Sequence, residues 1–138
     1  MPQPEATAKA KSSLLKLIRI WYAIGMMMLI AVATVSLMPA PDIGVSDKVS
    51  HLLTYFLLAG WFGLLARDRV VLGWTLVGLI AYGMLLELLQ GQTGYRFAEW
   101  GDVVANSIGV AAGVVLYFTP LRRLFRRADN RLAPIFLN

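Results

Sequence analysis

The stretch IWYAIGMMMLIAVATVSLM, residues 20–38, decides the fold because it runs for nineteen residues without a charge. A bilayer core about 30 Å thick is crossed by about 20 helical residues. The apolar region of a secretory signal peptide is shorter, at about 7–15 residues. No A-x-A cleavage pattern follows, and Pro39 and Pro41 end the helix instead. The stretch is therefore predicted to be a retained transmembrane helix.

Three further apolar stretches occupy residues 48–65, 70–89 and 103–118. Apolar residues make up 58% of the chain and charged residues 15%, whereas a soluble domain carries about a quarter charged residues. The stretches are continuous rather than alternating, which favours helices over barrel strands. The predicted fold class is all-α: a small polytopic membrane protein with a bundle of four transmembrane helices.

The basic residues are distributed unevenly between the two sides of this bundle. One side holds only Lys48 and Arg96. Basic residues stay cytoplasmic, so both termini are predicted to be cytoplasmic in an inner (plasma) membrane. Because these basic segments lie against the bilayer, they favour anionic lipid headgroups over nucleic acid. The basic residues of the cytoplasmic side are Lys9, Lys11, Lys16, Arg19, Arg67, Arg69, Arg122, Arg123, Arg126, Arg127 and Arg131.

Three segments follow from this topology. Residues 1–13 are predicted to be disordered, residues 14–119 to form the four-helix domain, and residues 120–138 to form a basic cytoplasmic tail in which residues 121–127 can be an interfacial helix. Cysteine is absent, which excludes disulfides and thiolate metal sites. Walker, G-x-S-x-G, H-E-x-x-H and dinucleotide-binding motifs are also absent, so the sequence names no cofactor.

A polar stripe opens the second apolar stretch. Asp47, Lys48, His51 and Tyr55 fall at i, i+1, i+4 and i+8 and share one helix face. Asp47 and Lys48 also suit a solvated helix cap, and a single histidine also suits a packing role. An acid and a phenol beside His51 favour a functional role equally well.

Glu87 and Gln90 lie near the outer end of the third stretch, on one face. A carboxylate among leucines must be protonated, paired or hydrated, unless it snorkels to the interface. The loop of residues 91–101 carries Arg96, and we expect the guanidinium to turn inward and pair with Glu87.

The fourth stretch has a face that is polar outside and bare further in. Asp102, Asn106, Gly109 and Gly113 fall at i, i+4, i+7 and i+11. The two glycines permit close helix packing. We therefore expect a central helix that presents Asp102 and Asn106 to the second and third helices. We also expect His51, Glu87 and Asn106 to face one cavity open to the outside, with Arg96 at its rim.

The ordered set over residues 47–118 resembles the VanZ-like family. It reads Asp47-Lys48-x-x-His51-x-x-x-Tyr55, Glu87-x-x-Gln90, Arg96, and Asp102-x-x-x-Asn106-x-x-Gly109-x-x-x-Gly113. The resemblance implies a small envelope membrane protein linked to lowered susceptibility to glycopeptide antibiotics such as teicoplanin. An acidic residue that usually follows the arginine is displaced here to Glu99.

Three functions remain open from these residues. The first is an enzyme acting on an envelope lipid or lipid-linked cell-wall precursor. The second is a non-catalytic protein that binds a lipid or a partner. The third is a proton-coupled carrier, for which four spans are few unless the protein forms a homo-oligomer. The predicted catalytic residues are His51, Glu87 and Asp102. The predicted binding residues are Asp47, Lys48, Tyr55, Gln90, Arg96 and Asn106. A divalent ion held by His51, Glu87 and Asp102 is a minor alternative, and no residue is assigned to a metal.

Overall fold

The computed structural model describes residues 15–39 and 46–137, which form five helices. They are α1 (Ile18–Ser36), α2 (Asp47–Leu65), α3 (Arg69–Gln90), α4 (Trp100–Val114), which continues as a 3-10 helix (Val115–Phe118), and α5 (Leu121–Phe136). The first four, with the 3-10 extension of α4, are long and apolar enough to cross a membrane. The described residues contain no strand. The all-α, multi-pass membrane fold is confirmed, and the segment 1–13 lies outside the described residues.

The tightest contact in the bundle lies between α2 and α4, at the two predicted glycines. A Cβ on Gly109 would lie 2.3 Å from the carbonyl oxygen of Leu52, and one on Gly113 would lie 2.4 Å from that of Phe56. The two backbones therefore touch, as predicted for this glycine pair. This contact sets the register in which the polar residues of α4 meet those of α2.

Helix α1 lies at the edge of the bundle, and Gly25 is its only buried residue. It is fastened to α3 by two hydrogen bonds to its backbone. The Tyr82 hydroxyl donates to the carbonyl of Leu29 at 2.6 Å, and the Gln90 amide donates to that of Ser36 at 2.8 Å. The second bond uses a residue that was predicted to bind substrate, so Gln90 also has a structural task.

The bundle has two chemically different ends. The start of α1, the turn between α2 and α3, and α5 lie at one end, which we call the basic end. The end of α1, the start of α2, the end of α3 and the start of α4 form the other end, which we call the polar end. At the basic end, Asp68 caps α3 by accepting from the backbone N–H groups of Val70 at 3.0 Å and Val71 at 2.9 Å.

Helix α5 is bound to the bundle rather than extending away from it as a separate tail. Asp129, 1% exposed, accepts from the backbone N–H groups of Lys16 at 2.7 Å and Leu17 at 3.0 Å, and from Trp21 Nε1 at 2.8 Å. Arg122 Nη2 donates to the carbonyl of Ala66 at 2.7 Å. The segment predicted as a basic tail is thus a helix that closes the basic end.

Candidate functional site

Buried polar residues are concentrated at the polar end. Five polar or charged residues of the described chain are buried, and only Asp129 lies at the basic end. The other four are Glu87, Gln90, Asp102 and Asn106. Each of these four was predicted as a site residue. The structure therefore brings α3 and α4 together with their predicted polar faces inside the bundle.

The His51 side chain, on α2, faces α4. Its Nδ1 lies 3.0 Å from Asn106 Oδ1, and because an amide oxygen only accepts, Nδ1 is the donor. Its Nε2 faces two carboxylates, at 3.7 Å from Asp47 Oδ1 and 4.0 Å from Asp102 Oδ2. Asn106 thus orients the imidazole, and both aspartates lie on the other side of the ring.

The two cations of this end are already paired with carboxylates. Lys48 Nζ lies 2.8 Å from Glu99 Oε2 and 3.5 Å from Asp102 Oδ1. Arg96 Nη2 lies 2.9 Å from Asp47 Oδ2. An anionic ligand held by these two side chains would have to displace or bridge these pairs.

Glu87 has a different partner from the one predicted. It was expected to pair with Arg96, but its Oε1 accepts the backbone N–H of Glu99 at 2.7 Å. The N-cap residue of α4, Glu99, contacts Glu87. The Arg96 side chain points instead to Asp47 on α2. The second oxygen, Oε2, is buried and has no hydrogen-bond partner among the described residues.

Tyr55 lies at the inner end of the polar stripe and is buried beside Gly83. A Cβ on Gly83 would lie 3.1 Å from the Tyr55 ring and 3.2 Å from Asn106 Nδ2. The Tyr55 hydroxyl is buried without a hydrogen-bond partner in the described part of the chain. Tyr55 therefore joins the polar layer, with a donor that is left unused.

Two cavities border the layer, where one was expected. The first has a volume of 110 Å³ and contains His51, Tyr55 and Arg96 in its wall. The second, of 270 Å³, is a largely apolar groove between α3 and α4, with Glu87 and Trp100 in its wall. The prediction that His51 and Glu87 share one cavity is wrong, because the start of α4 contacts Glu87 and directs it to the groove.

Glu99 is a site residue that the sequence reasoning did not assign. It occupies the N-cap position of α4, pairs with Lys48 through its side chain, and donates its backbone N–H to Glu87. Its position next to the helix start was readable from the sequence. Its partners were not, because they lie on α2 and α3.

The arrangement offers two kinds of chemistry. His51, with its tautomer set by Asn106, presents a nitrogen lone pair on Nε2 to the first cavity, where it can accept a proton or bind a cation. Glu87 presents an unused acceptor beside an apolar groove, where it can receive a hydrogen-bond donor. The predicted catalytic residues therefore fall into two neighbouring sites rather than one.

No protein-family model matches this chain, and no solved structure matches it. Uncharacterized protein C11E3.10 of Schizosaccharomyces pombe is 32% identical to the chain over 97 residues. The matched part covers 68% of this chain and 60% of the relative, so the chain spans about 60% of the relative's length. The relative's name states no activity.

Proposed function

We propose that the protein binds a membrane lipid, or a lipid-linked precursor of the cell envelope, with the headgroup at the polar end of the bundle. The observation that supports this most directly is the Glu87 carboxylate. It is buried, it has one oxygen without a partner in the described residues, and it lies in the wall of an apolar groove. A ligand with a polar head and an acyl chain fits both features.

The Oε2 of Glu87, which is unpaired among the described residues, lowers the stability of the free protein. A buried acceptor left without a hydrogen bond costs about 1–3 kcal/mol, and more when it is charged. A lipid hydroxyl or ammonium that donates to Glu87 Oε2 removes that cost. The groove of 270 Å³ has Met84, Leu88 and Val103 in its wall, and these side chains suit an acyl chain.

Trp100 lies at the same groove and is strongly exposed. Tryptophan is enriched at the boundary between headgroups and acyl chains. A lipid in the groove would therefore have its head at the depth of Trp100 and its tail alongside Leu88. The cavity at His51 and Arg96 borders the same polar layer and can receive the rest of a large headgroup.

The resemblance to VanZ-like proteins supports an envelope ligand and a link to glycopeptide (teicoplanin) susceptibility. The concentration of basic residues at the opposite end supports an orientation with the polar end extracytoplasmic. Within this function, His51 is the residue placed to act as an acid or base. Its replacement by asparagine should abolish conversion of a bound lipid while retaining binding if the protein is an enzyme.

Native mass spectrometry of the detergent-purified protein tests the proposal. The parent protein should retain lipid, and Trp100→Ala should lower the lipid-bound fraction severalfold. Trp74→Ala is the matched control, because Trp74 is also strongly exposed and borders an apolar groove of 310 Å³ that does not include the polar layer of His51, Glu87 and Asn106. Equal retention by the two variants, or no bound lipid in the parent protein, would contradict the proposal.

A further inference from the structure

The geometry points to a divalent-metal site formed by Asp47 Oδ1, His51 Nε2 and Asp102 Oδ2. One ligand atom from each of the three residues lies within 4.8 Å of the others. The ligand set differs from the one considered from the sequence, which was His51, Glu87 and Asp102. Here Asp47 takes the place of Glu87. It can be tested with metal alone, so its outcome is independent of lipid binding.

The two carboxylates divide their oxygens in the same way. Asp47 gives Oδ2 to Arg96 at 2.9 Å and turns Oδ1 toward His51 Nε2 at 3.7 Å. Asp102 has Oδ1 at 3.5 Å from Lys48 and turns Oδ2 toward the same nitrogen at 4.0 Å. One oxygen of each aspartate therefore faces a basic side chain, and the other faces the imidazole.

The imidazole is oriented as it is in a metal ligand. His51 Nδ1 donates to Asn106 Oδ1, which leaves a lone pair on Nε2 in the neutral ring. Metal-binding histidines almost always donate their other N–H to an oxygen, which fixes the tautomer and the ring orientation. The His51 side chain is 10% exposed, and both carboxylate oxygens lie beyond hydrogen-bond distance of Nε2. With the imidazole neutral, three electron-pair donors thus face one another.

The distances fit an ion after a small adjustment. Ligands about 2.0–2.2 Å from one ion are at most about 4 Å apart. The separations of 3.7 and 4.0 Å at His51 already satisfy this limit. The two carboxylates need to approach by less than about 1 Å, and the Asp47 side chain, 53% exposed, is free to make that movement.

The charge of the cluster also favours a cation. Its described ion-paired residues include three carboxylates and two basic side chains, so it carries one excess negative charge with His51 neutral. A divalent ion offsets that excess. The carboxylates are Asp47, Glu99 and Asp102, and the basic residues are Lys48 and Arg96.

One imidazole and two carboxylates suit Mn²⁺ or Zn²⁺ better than Mg²⁺ or Ca²⁺, which prefer oxygen ligands throughout. Three protein ligands leave at least one coordination position open. Two of the three ligands, Asp47 and His51, lie in the wall of the cavity of 110 Å³. A phosphate or carboxylate could bind the ion there, although Lys48 and Arg96 are both occupied.

Titration of the detergent-purified, chelator-treated protein with Mn²⁺ or Zn²⁺ by calorimetry tests the site. We expect one ion per chain in the parent protein. His51→Gln and Asp102→Asn should lose binding, and Asn106→Leu should weaken it about 10–100-fold, as expected for a residue that orients a ligand.

Glu87→Gln is the matched control, because it makes the same carboxyl-to-amide change at a buried residue outside the triad. It should bind the ion with the parent affinity. Circular dichroism without metal verifies that each variant is folded. No binding of either ion by the parent protein at millimolar concentration overturns the site, and so does a loss of affinity in Glu87→Gln equal to that in Asp102→Asn.

Discussion

Asp129 and Glu87 are buried carboxylates at opposite ends of the same bundle, 1% and 3% exposed. Both oxygens of Asp129 accept hydrogen bonds, from two backbone N–H groups and the Trp21 indole. Glu87 accepts one, from the backbone of Glu99, and its second oxygen has no partner in the described part of the chain.

We propose that this difference separates a structural carboxylate, Asp129, from a ligand-binding one, Glu87. A charge whose lone pairs are used by donors of the fold repays its desolvation by fastening the helices together. A buried carboxyl oxygen without a partner costs stability in the free protein. In the proposed function, a ligand in the apolar groove at Glu87 supplies the missing donor.

The two ends of the bundle should differ most in their labelling by a thiol reagent that cannot cross the membrane. The chain has no cysteine, so Gln92→Cys at the polar end and Asn130→Cys at the basic end each introduce a single thiol. In intact cells, an impermeant thiol reagent should label the first and not the second. Labelling of Asn130→Cys alone would invert the topology and place the half-satisfied carboxylate on the cytoplasmic side.

The next effect concerns the contact that holds the two ends in register. Gly109→Ala places a methyl group 2.3 Å from the backbone of α2, so α2 and α4 must separate. Overpacking of this kind costs about 1–3 kcal/mol, and it should also move Asn106 away from His51. Thermal melts in detergent should show a clear loss of stability.

Gly73→Ala is the control for that melt, because nothing lies within 4 Å of a Cβ at this position. It should melt at the parent temperature or above, since alanine favours a helix more than glycine does. Equal melting of the two variants would mean that the α2–α4 contact is not close.

A small effect is expected at Asp68, in the turn of the basic end. The backbone N–H of Val71 has the larger effect on the Asp68 carboxyl, and the Arg67 guanidinium has a smaller one. Both hold the pKa of that carboxyl below its usual range. Its contribution to stability is therefore present above the ordinary pKa of about 4 and is lost as pH falls through the lower folded-state pKa. Asp68→Asn should reduce the fall in melting temperature between about pH 6 and pH 3. An unchanged fall would show that this cap does not contribute.

The elements governed by helical period were predictable from the sequence. The four spans and the polar and glycine face of α4 follow from apolar run length and from residues spaced by three or four. In these cases, neighbours along one helix determine which side chains share a face.

The partners that depend on the path of a loop were not predictable. Arg96 bonds Asp47, 49 residues away, rather than Glu87. Asp129 bonds the backbone of Lys16, 113 residues away, whereas the charge pattern around it predicted a basic tail with an interfacial helix over residues 121–127. The spacing of residues along one helix does not predict such contacts, because they depend on the path of the turns between helices.

A comparison of Asp129→Asn with Glu87→Gln distinguishes a carboxyl group that holds the bundle together from one that binds a ligand. Both changes replace a buried carboxyl group with an amide of nearly the same shape. Asp129→Asn turns an NH₂ group toward N–H donors, and hydrogen bonds to a charged group contribute about 1.5–3 kcal/mol. It should lower the melting temperature markedly and leave the lipid-bound fraction of the folded protein unchanged. Glu87→Gln should melt close to the parent protein and lose bound lipid. If Glu87→Gln is as destabilising as Asp129→Asn and retains its lipid, Glu87 is a structural residue and the proposed function is contradicted.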